Sequence, residues 1–355
     1  MPSRAHPTHT AVGPNHQKTM VSRWWLRLQA VIWRSLMNIG MFLHDLAPPR
    51  PRRPQFTRTV KSDSHGHTVV LHFYCPPDYN QQRRLGHRYP VAVNFHGGGF
   101  TLGCATDDSR WACCVVQEVG AVVVSVDYRL APEHRFPAAV DDGVEALLYL
   151  AAHAGELGLD ISRLALSGFS AGGNLAVTVP LRLHDRLSTQ VKEQLGRSES
   201  TQRLVDQTSD LRIVALFCWY PILDFQESRD HRRAMSNNPN KTLPTFFTNL
   251  FDESYLPDLA DRVSPFASPV YASDRSLAEA LPHDVYLFIC EWDMLMKEGQ
   301  SFVRRLEGLG KRVRSMMIEK VPHAWDKSPN PFRDQDRIDV LYRDACGDMK
   351  AIFQR

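Results

Sequence analysis

Eleven residues, 164–174 (LALSGFSAGGN), constrain the fold of this chain more than any other stretch. A short apolar run of strand type ends on Gly168-Phe169-Ser170-Ala171-Gly172, and a helical pattern follows at once through Arg186. A turn that sharp needs glycine on both sides of the serine, because a Cβ there would meet neighbouring backbone. It lifts the Ser170 hydroxyl off the end of a strand and sets it beside a helix N-terminus, where developing negative charge is favoured. The competing reading is a tight glycine turn with a capping serine. The strand before and the helix after favour a nucleophile.

The rest of the chain repeats the strand-then-helix rhythm. Residues 68–74, 91–95, 121–126, 164–167, 211–217, 285–290 and 313–318 read as strands, and 107–118, 140–153 and 171–186 as helices. This alternation predicts an α/β fold, a mainly parallel sheet flanked by helices on both faces. Two segments break the rhythm. Residues 188–210 are polar and charge-rich, and are expected to extend a helix and then leave the body as a mobile excursion. Residues 223–271 are rich in Pro and Phe without strand periodicity, and so long a segment inside a compact domain is usually functional.

Composition narrows the class further. With 355 residues, 43% hydrophobic, and a formal charge of only +3, nothing argues for a nucleic-acid partner. Seven cysteines, an odd number in neither CxxC nor paired-ligand spacing, argue against a disulfide scaffold and a structural metal site. The most apolar run, 24–43, is broken by Arg27, Gln29, Arg34, Ser35 and Asn38, so no transmembrane segment is expected. No leader-like pattern is visible either, and the expected location is cytoplasmic.

The N-terminal region has a character of its own. Residues 1–18 lack periodicity and are expected to be disordered. From Trp25 onward, Trp25, Leu28, Ile32, Leu36, Ile39 and Leu43 recur at helical spacing, giving one apolar face. Residues 1–58 hold nine basic residues against one acidic, Asp45, a formal +8 that leaves the remainder at −5. The expectation is that this stripe packs on the main domain; peripheral contact with an anionic membrane surface is the alternative. Residues 48–54 (PPRPRRP) end the helix and form a stiff connector.

The chemistry of Ser170 needs partners, and the chain offers them. His96-Gly97-Gly98-Gly99-Phe100 follows the 91–95 strand. Three successive glycines cost folding entropy, so close backbone approach is required there. An oxyanion hole requires it: amides of this loop and of Ala171 can converge on the developing negative charge. A phosphate-cradling loop is disfavoured, since neither GxxxxGK[ST] nor GxGxxG opens a helix here. Ser170 needs a base, and the base an orienting acid; such residues follow two late strands. Glu291 and Asp293 follow the 285–290 strand, and position alone does not choose between them. His323 follows the 313–318 strand, and His134 is its rival.

With these residues located, the chain resembles the hormone-sensitive-lipase family of α/β-hydrolases, which includes bacterial and fungal esterases and arylacetamide deacetylase. The likeness covers nearly all of residues 60–350. It rests on HGGGF at 96–100, on DYRLAPEHRFPA at 127–138 and on GFSAGG at 168–173. It implies an α/β-hydrolase fold with a helical cap and no cofactor or metal. Its acid segment, here Asp293-Met-Leu-Met-Lys-Glu-Gly299, favours Asp293 over Glu291, giving the triad Ser170, Asp293 and His323. Gly97, Gly98, Gly99 and Ala171 then form the oxyanion hole. His96, Asp127, Tyr128, Arg129, Glu133, His134 and Arg135 brace loops near the elbow.

The implied division is a tail at 1–19, a cap helix and linker at 20–59, a catalytic domain at 60–222 and 263–355, and a cap insertion at 223–262. Aromatic residues of the cap and core, Trp24, Trp25, Phe100, Phe169, Phe225, Phe246, Phe247, Phe251 and Trp325, are the candidate substrate pocket. The implied activity is hydrolysis of a hydrophobic short- to medium-chain, aryl or natural-product ester, a deacetylation among them, by a monomer or homodimer. A lactone or aryl amide is the alternative substrate. A ligand-binding relic is the non-enzyme alternative, disfavoured because all three triad residues remain. The chain departs from the family at Phe169, often Asp, and at Met294 and Lys297 in the acid segment.

Overall fold

The computed structural model describes residues 22–61, 66–193, 208–333 and 335–355. The expected disordered tail and most of the expected 188–210 excursion lie outside the described residues. Eight strands make one sheet: β1 (Phe56–Lys61), β2 (Thr68–Tyr74), β3 (Tyr89–Phe95), β4 (Val122–Asp127), β5 (Leu159–Phe169), β6 (Ile213–Trp219), β7 (Asp284–Cys290) and β8 (Arg312–Ile318). Their order is β1-β2-β4-β3-β5-β6-β7-β8. β1 and β2 are antiparallel to their neighbours, and β4 through β8 run parallel.

Period-two alternation divides the core into two layers. On one face, Val91, Val93, Phe95, Leu164, Leu166, Leu216 and Cys218 pack in a single cluster under helices α4 (Ala138–Ala152) and α5 (Ala171–Glu193). On the other, Ala92, Ala165, Ala215, Phe217 and Trp219 meet the C-terminal helix Asp336–Phe353 and α3 (Ser109–Val119), the helix after the short α2 (Tyr79–Arg84). Central strands buried on both sides are mainly apolar, with Asn94, Ser125 and Ser167 as buried polar exceptions, and every residue of β7 is buried.

β1 has no counterpart among the strands expected from the sequence. It reads FTRTVK with Val60 its one buried residue. A charged, half-exposed edge strand discourages pairing with other chains, and for the same reason has a faint hydrophobic signature.

Helix α1 (Arg23–Leu46) forms as expected and stops before Pro48. Its orientation is the reverse of the expectation. Leu26, Ala30, Met41 and His44 are buried, whereas the stripe expected to pack inward faces out, with Trp25 47%, Ile32 48% and Ile39 59% exposed. The inner face carries the specific anchors. Trp33 stacks on Phe246 at 5.1 Å and meets Phe247 at 4.6 Å. Both phenylalanines lie on helix Thr245–Tyr255, within the segment read as cap. Arg34 donates to the carbonyls of Thr101 and Ala131, each at 2.8 Å, and pairs with Glu133 at 2.8 Å. These contacts tie the inner face of α1 to the Thr245–Tyr255 helix and to the loops that follow β3 and β4.

Candidate active site

β5 delivers Ser170 into a positive-φ conformation (55°), and α5 begins at the next residue. The Ser170 amide donates to the Trp219 carbonyl at 2.8 Å, pinning the turn to β6. A Cβ at Gly168 would fall 2.1 Å from the Gly172 carbonyl oxygen, and one at Gly172 would fall 1.9 Å from that of Phe95. Glycine is obligatory at both. Asn174, one turn along α5, donates to the carbonyls of Ile222 and Ala267 at 2.8 and 2.7 Å and ties the helix start to the chain that follows β6.

His323 stands 2.8 Å from Ser170 Oγ through Nε2 and 2.5 Å from Asp293 Oδ2 through Nδ1. A carboxylate only accepts, so Nδ1 carries the proton and Nε2 is left to accept from the serine. Asp293 is held in turn by the Leu295 amide, which donates to Oδ1 at 3.1 Å. Asp293 is 1% and His323 8% exposed. The rivals lie elsewhere: Glu291 accepts from the Lys320 amide, and His134 is exposed.

Gly98 (φ 111°) and Gly99 (φ 60°) shape the loop after β3. A Cβ at Gly98 would lie 2.2 Å from the Leu102 carbonyl oxygen. Among the described residues, no carbonyl accepts the amide protons of Gly98, Gly99 or Ala171. The Gly97 carbonyl accepts from His96 Nδ1 at 2.7 Å. The buried His96 ring stacks on Tyr128 at 4.2 Å, and the Tyr128 hydroxyl donates to the His96 carbonyl at 2.7 Å. Asp127 accepts from the Ala105 amide, and Arg129 pairs with Asp142 at 2.7 Å.

The last three residues of the expected bracing set act away from the elbow. Glu133 anchors Arg34 of α1, His134 is exposed, and burial, then the charge of Arg23 on α1, lowers the pKa of Arg135. They follow a loop that turns toward the N-terminal helix, and the next amide, that of Phe136, donates to Tyr255 at the end of the Thr245–Tyr255 helix.

Two cavities meet at Ser170. A recess of about 20 Å³ is bounded by Phe100, Ile222, Phe225, Met294 and Leu295. A larger one of about 180 Å³ is bounded by Met37, Met41, Leu102, Phe169, Phe247 and Lys327. Phe251 borders both. Four aromatic residues expected in the pocket are outside it. Trp24 and Trp25 are exposed on the outer side of α1, and Phe246 spends its ring on Trp33. Trp325 lies under the Arg337 guanidinium, 5.3 Å from its ring centre. Clefts of about 200 and 570 Å³ elsewhere contain no triad member, so size alone would misplace the site.

Beneath the elbow runs a buried polar chain that sequence reasoning missed. Trp111 donates to Ser167, Ser167 to Asn94 and Asn94 to Asp108, at 3.0, 2.8 and 2.9 Å. Lys327 pairs with Asp108 at 2.7 Å and with Asp326 at 3.6 Å, its ammonium 4.1 Å over the Phe169 ring. Tyr220 and Tyr342 each donate to Asp326 at 2.6 Å, and the Tyr220 ring packs edge-on against His323 at 4.9 Å. Burial opposes the charge on Lys327, but Asp108 and Asp326 hold its pKa above the usual lysine range. The sole signal in the sequence was two charged residues, Asp326 and Lys327, soon after the base.

A nucleophile on a strained strand-to-helix turn, joined through an imidazole to a buried carboxylate, defines a serine hydrolase of the carboxylesterase type. A family profile described as alpha/beta hydrolase fold matches residues 92–327. An AB hydrolase superfamily protein of Schizosaccharomyces pombe is 30% identical over 272 residues, 75% of this chain and 71% of that protein. The ethyl acetate hydrolase of Pseudomonas putida is 30% identical over 284 residues, 79% of this chain and 78% of that protein. The structure of a hyperthermophilic esterase from Pyrobaculum calidifontis aligns with a TM-score of 0.72 and 26% identity, covering 93% of this chain and 97% of the esterase. The chain belongs to the alpha/beta hydrolase fold family, in its hormone-sensitive-lipase-like branch of esterases.

Proposed function

We propose that this chain hydrolyses esters of a small acyl group, acetyl above all, with an apolar alcohol of aryl or short alkyl size. The observation that carries the reading is the unbroken Ser170–His323–Asp293 relay, at 2.8 and 2.5 Å. His323 takes the serine proton as Oγ attacks the ester carbonyl, while Asp293 orients the ring and stabilises the imidazolium. The unclaimed amides of Gly98, Gly99 and Ala171 receive the oxyanion. Collapse breaks the bond to the alcohol oxygen, which leaves with the proton from His323. Water then gives a proton to His323 and attacks the acyl-enzyme, releasing the acid and returning the proton to Ser170.

The unequal cavities support the substrate class. A recess of about 20 Å³ has room for roughly one water-sized group, which suits an acetyl methyl. The space of about 180 Å³ on the other side, lined by methionine, leucine and phenylalanine, suits an apolar alcohol. The relative named for ethyl acetate points the same way. A p-nitrophenyl series from acetate to decanoate tests this, with Met294→Ala beside the parent. The expected kcat/KM falls at least about tenfold once the acyl chain outgrows the recess, and Met294→Ala moves that break to longer chains. A profile flat from acetate to decanoate would remove the small-acyl reading.

A further inference from the structure

The outer face of α1 is apolar along nearly its whole length. Trp24, Leu28, Ile32, Leu36, Ile39 and Phe42 lie on it, exposed by 37 to 69%. From first to last they span about 27 Å of helix. Single exposed apolar residues are ordinary, but a continuous stripe marks a surface that something covers. The Phe246 ring, 48% exposed, extends the patch beside Trp33. At the other end, Arg333 donates to the His44 carbonyl at 3.1 Å and clamps to α1 the loop that carries Phe332, 93% exposed.

We infer that this face docks on an anionic membrane surface. The charge around it is complementary to such a surface. Arg23 and Arg27 lie at the start of the helix, Arg50, Arg52 and Arg53 follow its end, and Asp45 is the one acidic residue between Arg23 and Arg53. Tryptophan at the basic end fits the headgroup boundary, where an apolar ring body and a polar N–H are both satisfied. A second copy would cover the stripe less well. A symmetric pair brings the same patch of each copy together, and here that sets two strongly basic segments against each other.

The site lies directly behind this surface. Met37 and Met41, on the inner side of the same helix, border the larger cavity at Ser170. A helix lying in the interface thus places one wall of the catalytic cavity at the lipid boundary, where an apolar ester is concentrated. Among the described residues no helix is long and apolar enough to cross a membrane, so contact is peripheral.

The test is co-sedimentation of the full chain with vesicles of phosphatidylcholine alone or with about one-third phosphatidylglycerol, read by bound protein mass. Binding does not need turnover, so the result stands apart from the esterase reading. The expected partitioning onto the anionic vesicles is at least about tenfold above that onto the neutral ones, and falls as salt is raised. A Leu28→Ser/Ile32→Ser/Ile39→Ser variant loses at least about tenfold of it while keeping hydrolysis of water-dissolved p-nitrophenyl acetate, which shows that it is folded. Absence of binding to either vesicle overturns the inference, as does undiminished binding of the variant. A vesicle-indifferent parent that sediments as a dimer, and a variant that sediments as a monomer, would assign the face to a second copy instead.

Discussion

Ser170 holds a positive φ of 55°, a conformation costing an L-residue about 1–3 kcal/mol, and the surroundings that impose it are mostly glycine. Such positions were legible in the sequence because only one residue type satisfies them. Gly98→Ala is the sharpest probe of the loop opposite. Its Cβ would lie 2.2 Å from the Leu102 carbonyl oxygen at a φ of 111°, so the loop must shift and its amides with it. The expected loss is about 100- to 1,000-fold in kcat with little change in KM. Retention of wild-type kcat in steady-state assays would show that these amides do not receive the oxyanion. Lys327 was not legible, because a lysine is normally a surface residue and no spacing rule links it to Asp108, far back in the chain. In Lys327→Met the buried carboxylates of Asp108 and Asp326 lose their counter-charge. Urea denaturation is expected to show a loss of about 3–5 kcal/mol, and a loss under about 1 kcal/mol would contradict the pairing.

Helix α1 shows how an element can be legible while its placement is not. Periodicity announced the helix and its apolar stripe, but the inward face is the one that carries Trp33 and Arg34, whose partners lie on the distant helix Thr245–Tyr255 and on distant loops. Its C-terminal end is anchored by a buried histidine. His44 accepts no proton readily: burial, then the charges of Lys327, Arg333 and Arg110, lower its pKa from 6.5 to about 3, against a hydrogen bond to the Ser328 carbonyl that raises it. The unfolded chain takes up a proton near pH 6.5 while the folded chain does not, so this anchor's stability is present above that pH. It is lost progressively as pH falls from about 6.5 toward 3. At pH 5 the loss is about 2 kcal/mol. Thermal denaturation at pH 7 and pH 5 should therefore show a drop that His44→Gln reduces by that amount; an equal drop in both proteins would contradict the assignment.

At the scale of the whole molecule, the order of motifs along the chain carried the fold. Parallel strands buried on both faces announce themselves as apolar runs, and the sheet places the ends of β3, β5, β7 and β8 where the oxyanion loop, nucleophile, acid and base are needed. The antiparallel edge strand β1 was not legible, because edge strands mix charge with short apolar stretches. Nor was the division of the cavity into a small and a large arm. Phe225, Phe247 and Phe251 reach the site and Trp24, Trp25, Phe246 and Trp325 do not, a distinction set by how the helices fold over the sheet rather than by residue type. All of these features bear on one claim, that Ser170 forms an acyl-enzyme assisted by His323. Rapid mixing with p-nitrophenyl acetate tests it most directly. The expected result is a burst of about one equivalent of p-nitrophenol per chain, absent from Ser170→Ala. A folded parent protein that shows neither a burst nor labelling by a fluorophosphonate would contradict it.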